Sequence, residues 1–405
     1  MLREKSKKWT KAITEWEVRD DSKRKRGRQR KRWIFLYVNF FFFLQEKRIA
    51  RDGYYSESHS VTTSDGYILE MNRIPFGRYE KSDSSPKRKP VVFLMHGLHN
   101  SAIAFIYLGP EFSLAYTLAD AGYDVWMGNA RGVINSRRHV TLDPDDYYDR
   151  KEFFDYTFED IALKDLPAML NYVLEYTENE QLNYIGHSQG GTAFLVLNSV
   201  KPEYNKIFKS VNLLAAVGYQ RYFPSTALSV AAQRTDTIYT LAVRLGSKEL
   251  GPTHKGDSEK IDELNENYPH AKEFALTSLK EYLDVPWEIL AGASIKQYAH
   301  FGQNIRDSRF RSWNYGVLGN ILTYGRFAPP SYNLRLISAE ITMHYTVSDI
   351  LLDERDVLDM ARVMPNTKVR RVARDSFTHT DFVIAPDSRT LVTDYILEEL
   401  NKKNK

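Results

Sequence analysis

The 405-residue chain contains no cysteine. That absence excludes disulfides, a thiolate nucleophile and any zinc or iron–sulfur site built on cysteine. It fits a reducing compartment, although a core of this size also holds together outside the cell without cross-links. No Asn-x-Ser/Thr acceptor occurs, so the usual covalent mark of a secreted surface is missing as well. Long hydrophobic runs are scarce. The longest, W-I-F-L-Y-V-N-F-F-F-F-L at 33–44, would cover about 18 Å as a helix, short of the ~30 Å hydrocarbon layer, and predicts no stable transmembrane span. With no H-E-x-x-H, P-loop or dinucleotide glycine pattern, neither a metal nor a nucleotide is implied.

Charge is unevenly spread. The net value is +4, but residues 1–32 hold 14 Lys/Arg against 5 Asp/Glu, a balance of +9, so the rest of the chain stands at −5. The body is mildly acidic and gives no reason to expect nucleic acid as a partner. A basic segment followed by a 12-residue apolar run has the layout of a signal peptide or short anchor, yet Q-E-K-R-I-A after Leu44 offers no small-x-small cleavage site. Residues 1–44 therefore read as an imperfect signal or a mis-started segment, with a nucleic-acid-binding arm as a third reading, and the fold is expected to begin near Gln45.

From there, H-S-V-T-T-S-D-G-Y-I-L-E-M-N-R-I at 59–74 reads as a hairpin turning at Asp65–Gly66. Short apolar, β-branched runs follow at 91–97, 123–129, 182–188, 211–218, 341–347 and 368–372. Helical patterns at 113–120, 160–174 and 192–200 separate several of them. Near-continuous apolar strands alternating with helices predict an α/β fold, with a mostly parallel sheet covered on both faces. The alternation fails between about 219 and 335, which includes the acidic stretch D-S-E-K-I-D-E-L-N-E-N at 257–267 and is too long for an ordinary connection. The expected organisation is a core formed by 45–218 and 336–400, with 219–335 inserted as a helical cap.

In open α/β sheets, chemistry gathers where strands end at their carboxyl side. There the chain reads L-N-Y-I-G-H-S-Q-G-G at 182–191. A strand that reverses into a helix within about two residues strains its middle residue and brings the flanking chain close, and Gly186 and Gly190 would relieve that crowding around Ser188. By itself G-x-S-x-G arises by chance in about one chain in ten of this length, so a glycine-rich turn with a surface serine is the plain alternative. A serine nucleophile needs a base and the base an orienting acid, and in the order Ser…Asp…His the histidine comes last. Nine of the ten histidines lie at or before 344, which leaves His379 in S-F-T-H-T-D-F. Asp349, at the end of I-T-M-H-Y-T-V-S-D, is the matching acid; Asp353 and Asp356 fit capping or a solvated helix face better. The oxyanion would need donors already in place. The backbone N–H of Gln189 and that of Leu98, in M-H-G-L-H-N, are expected there, with His96 as a packing or supporting residue.

Taken together, these motifs closely resemble the acid lipase family, the gastric, lysosomal and insect lipases. The resemblance runs from about residue 50 to 398 and is carried by T-S-D-G-Y-I-L-E-M-N-R-I-P, P-V-V-F-L-M-H-G-L, A-D-A-G-Y-D-V-W-M-G-N-A-R-G, G-H-S-Q-G-G-T, Y-T-V-S-D-I-L-L-D-E-R-D-V and H-T-D-F. It implies an α/β-hydrolase core under a lid-bearing cap, cleaving acylglycerols or sterol esters without a cofactor at a transient lipid–water interface. It also implies a secreted or endo-lysosomal location. Ser188 would be the nucleophile, His379 the base and then acid, Asp349 its orienter, and Leu98 and Gln189 the oxyanion donors. His99–Asn100 departs from a more apolar pair common after H-G-L, and segment 247–285 matches poorly, which bears on acyl preference. The competing readings are a non-catalytic binding protein on a hydrolase scaffold and a carboxylesterase or acyltransferase of smaller esters.

Overall fold

A computed structural model describes residues 45–80, 88–250 and 290–404. The chain divides into two units at Leu44/Gln45. The basic tail, the apolar run at 33–44 and the acidic stretch at 257–267 all lie outside the described residues, as does most of 247–285.

Eight strands form one sheet. In chain order β1 is Glu57–Thr62, β2 Ile68–Ile74, β3 Val91–Met95, β4 Asp124–Gly128, β5 Leu182–His187 and β6 Phe208–Leu214; a separate short pair, β7 Glu249–Leu250 and β8 Ala293–Ser294, precedes β9 Ile341–Tyr345 and β10 Thr367–Arg371. Across the main sheet the order is β1-β2-β4-β3-β5-β6-β9-β10. The hairpin β1–β2 is antiparallel, with Thr62 opposite Ile68, and β2 joins β4 antiparallel. All other pairings in this sheet are parallel.

Every residue of β3, β4 and β5 is buried. Successive side chains of a strand point to opposite faces, so full burial means that both faces of the sheet centre are covered. The longer helices are α1 Leu114–Asp120, α2 Leu166–Thr177, α3 Gln189–Val200, α4 Thr226–Ala232, α5 Thr235–Arg244, α6 Ile295–Asp307, α7 Gly316–Tyr324, α8 Glu354–Val363 and α9 Asp394–Lys403. No helix among the described residues is long and apolar enough to cross a membrane.

Two element edges depart from the sequence pattern for local reasons. The strand expected at 211–218 starts at Phe208 and stops at Leu214, because Ala215 takes φ 48°, a left-handed conformation that breaks the extended run. The helix expected from 192 starts at Gln189, ahead of two glycines that disfavour a helix by propensity but fit the crowded turn. Strands β6 and β9 are hydrogen-bonded neighbours, although the chain between them runs through α4–α7 and the β7–β8 pair.

Candidate active site

Ser188 stands between the end of β5 and the first turn of α3 with φ 51° and ψ −117°. A non-glycine residue holds such angles only where its surroundings over-determine them. Here Ser188 N–H donates to Leu214 O at 2.9 Å, Thr192 N–H donates to Ser188 O at 3.0 Å, and Thr192 Oγ1 donates to Val217 O at 2.6 Å. The turn is thus tied to the carboxyl end of β6. A Cβ on Gly190 would sit 2.2 Å from Met95 O, and one on Gly186 2.7 Å from Gly190 C. Both are backbone atoms that cannot swing aside, so the two glycines are a steric requirement of the serine's position.

Asp349 follows β9 and has a 1% exposed side chain. Its Oδ1 accepts from Leu351 N–H at 2.7 Å and Leu352 N–H at 3.0 Å, which leaves Oδ2 aimed at His379 Nδ1, 2.7 Å away. His379 Nε2 lies 2.7 Å from Ser188 Oγ. Serine, imidazole and carboxylate, from three separate loops at the carboxyl edge of the sheet, form one unbroken hydrogen-bonded chain. With the carboxylate ionised, Nδ1 carries the proton it donates to Asp349, and Nε2 is the basic nitrogen facing the hydroxyl. All three residues are buried. Asp353 caps α8 through Arg355 N–H, and Asp356 accepts from Arg221 and Tyr222 N–H; neither is part of this chain.

The loop that carries His379 is anchored on several sides. Thr346 Oγ1 donates to Phe377 O, Thr378 N–H donates to Asp381 Oδ2 at 2.9 Å, and His187 Nε2 bonds His379 O at 2.9 Å. Sequence reasoning missed His187. It sits inside G-H-S, next to the serine, but nothing in that motif says that its ring reaches a loop nearly two hundred residues on. Burial pushes its pKa down to about 3, so it stays neutral and works as a hydrogen-bonding brace.

The turn after β3 passes directly over the serine. A Cβ on Gly97 would stand 3.0 Å from Ser188 Cβ and 3.5 Å from its Oγ. His96 Nε2 accepts from Ala130 N–H at 3.1 Å, which fixes the proton on Nδ1, and Nδ1–H donates to Gly97 O at 2.8 Å. Gly97 O and Leu98 N–H belong to the same peptide plane, so this histidine orients the amide expected to receive the oxyanion. Its own pKa is lowered to about 4 by burial. Across the site, Gln189 is the first residue of α3, a position whose N–H has no intrahelical acceptor.

A serine on a strand–helix elbow, beside the carboxyl edge of a mostly parallel sheet and facing an imidazole and a carboxylate, defines an α/β-hydrolase. Comparison with known proteins agrees: the partial alpha/beta-hydrolase lipase region matches residues 46–109, and the alpha/beta hydrolase fold matches residues 90–245. Lipase 3 of Drosophila melanogaster is 35% identical over 370 residues, covering 87% of this chain and 92% of that protein. Lipase 1 of the same organism is also 35% identical, covering 88% and 79%. Human gastric triacylglycerol lipase is 32% identical over 369 residues, covering 87% and 89%. The chain belongs to the acid lipase family, the α/β-hydrolases that cleave ester bonds of lipids.

Proposed function

We propose that this protein is a lipase that hydrolyses carboxylic esters of neutral lipids, acylglycerols first among them, through an acyl-enzyme on Ser188. The observation that carries the reading is the continuous chain from Asp349 through His379 to Ser188 Oγ. Oγ attacks the ester carbonyl carbon as its proton passes to His379 Nε2, and the carbonyl oxygen becomes an oxyanion that accepts from the N–H groups of Leu98 and Gln189. Collapse expels the alcohol, which takes the proton from Nε2. Water then repeats the sequence with His379 as base and releases the fatty acid. Asp349 stays ionised and stabilises the imidazolium, and the cycle consumes only ester and water.

Contact with a lipid surface is supported by α7. Val317, Leu318 and Leu322, with Phe327 just beyond, are 59%, 78%, 87% and 75% exposed. Residues 318 and 322 are one helical turn apart, which makes a stripe suited to an apolar interface. Family membership supports a secreted or endo-lysosomal location.

The test is Ser188→Ala on the purified full chain, assayed with triolein, cholesteryl oleate, a p-nitrophenyl ester, a peptide amide and an alcohol acceptor. Ester hydrolysis is expected to fall by at least about 10³-fold while the melting temperature holds. Turnover that survives the substitution would overturn the reading. In the parent, dominant transfer to the added alcohol would make the enzyme an acyltransferase, and hydrolysis confined to the short ester a carboxylesterase.

A further inference from the structure

Consecutive residues at the start of one helix reach the side chain of Gln189 and the ring of His99, the residue that follows Leu98. Ser294 caps α6 by accepting from Lys296 N–H, and Gln297 returns the bond by accepting from Ser294 N–H through Oε1 at 2.9 Å. The remaining amide nitrogen of Gln297 donates to Gln189 Oε1 at 3.0 Å. Gln297 is 2% exposed and Gln189 3%, so this pair is shielded from competing water. The next residue, Tyr298, turns about 100° away around the helix axis, and its hydroxyl is hydrogen-bonded to His99 Nδ1 at 2.8 Å.

His99 follows Leu98 and has φ 66°, the left-handed region that a side chain-bearing residue keeps only when held. Asn100 N–H bonds back to Gly97 O within the turn, and two further bonds come from outside it: Ala291 N–H to His99 O at 2.7 Å, and Tyr298 to the ring. Burial lowers the His99 pKa to about 4, so the ring is neutral and keeps one nitrogen as an acceptor at neutral pH. The strained residue beside one donor is thus gripped by segment 291–298, and the side chain of the other donor residue is gripped by the same helical turn.

We infer that Gln297 and Tyr298 are positioning residues for transition-state stabilisation, holding the Gln189 and Leu98 amides in register from the first turn of α6. The inference rests on the assignment of those two amides as oxyanion donors. It makes the segment around α6 a working part of the hydrolytic centre as well as a cover over it. Removing a donor outright costs about 10²–10³-fold in turnover, so mis-aiming one should cost less.

The experiment measures kcat and KM on p-nitrophenyl butyrate, and inhibition by phenylboronic acid, whose serine adduct is a tetrahedral anion. It compares the parent with Tyr298→Phe, Gln297→Met, His99→Asn and the Tyr298→Phe/His99→Asn pair. Tyr298→Phe and Gln297→Met are each expected to lower kcat about 10-fold, leave KM within about twofold and weaken the boronate by the same factor as kcat. In the His99→Asn background, Tyr298→Phe should cost clearly less than in the parent, since the ring that its hydroxyl bonds is gone. Unchanged kcat in both single variants overturns the inference, as does a full Tyr298→Phe effect without His99 or a fall in kcat with boronate affinity intact. Melting temperatures identify any variant that fails merely by unfolding, and the remaining variant then decides. If Ser188→Ala stays active, the assignment of the site has failed; if Ser188→Ala is dead while these variants are normal, only the positioning role has.

Discussion

At Glu70 on β2 a carboxyl group is 1% exposed, and its Oε2 has no hydrogen-bond partner among the described residues. Burial pushes its pKa up to about 8. Below about pH 4.5 the group is protonated in both folded and unfolded chains and leaves their balance untouched. As the pH rises, the unfolded chain ionises first, so stability drains away until the folded pKa is passed. Glu70→Gln keeps the shape and removes the titration. Its melting temperature should match the parent near pH 4.5 and rise progressively above it towards pH 8; parallel curves across that range would mean that Glu70 is already ionised in the fold. At this scale, the hydrogen-bonded chain from Ser188 through His379 to Asp349 could be anticipated in the sequence because chain order and the scarcity of late histidines constrain it. His187, Gln297 and Tyr298 could not, since their partners are set by folding and no local pattern names them.

Among the elements, a buried ion-pair junction links the hairpin turn, the loop after β4 and the turn that enters α2. Arg131 is 1% exposed; its Nη atoms donate to both oxygens of Asp65 at 2.8 and 3.0 Å, and its Nε donates to Asp165 Oδ1 at 2.8 Å. Asp165 Oδ2 accepts from Arg131 N–H, and the Tyr67 ring stacks on the guanidinium at 4.0 Å. Arg131→Leu strands Asp165, which is 0% exposed, and should cost about 3–5 kcal/mol in urea unfolding. Arg131→Leu with Asp165→Leu should recover part of that loss, because the penalty lies in the unpaired charge; equal losses for single and double variants would contradict this. The sequence marks the strands well, since buried parallel strands are runs of apolar residues. It misplaces edges where a tertiary contact overrides local preference, as when the elbow draws Gly190 and Gly191 into α3.

For the molecule as a whole, the proposed lipid contact through the exposed stripe on α7 predicts that surface binding and chemistry can be separated. Leu318→Ser/Leu322→Ser should lower hydrolysis of a triolein emulsion about 10-fold while turnover of dissolved p-nitrophenyl butyrate stays within about twofold. Equal effects on the two substrates would assign the stripe to the fold instead. The α/β class was legible from alternating periods, and the order of motifs pointed to the family. The sheet's strand order was not, because pairing of β6 with β9 depends on where a long excursion returns, which composition does not encode.

That pairing bears on how activity arises during biosynthesis. Ribosomes deliver the serine arm well before the acid and imidazole arms, and the seam between β6 and β9 closes only after the whole excursion has emerged. On the proposed assignment, a growing polypeptide would carry Ser188 without Asp349 and His379 for much of its synthesis, and a nick that removes the chain beyond β9 would leave the serine without its imidazole partner.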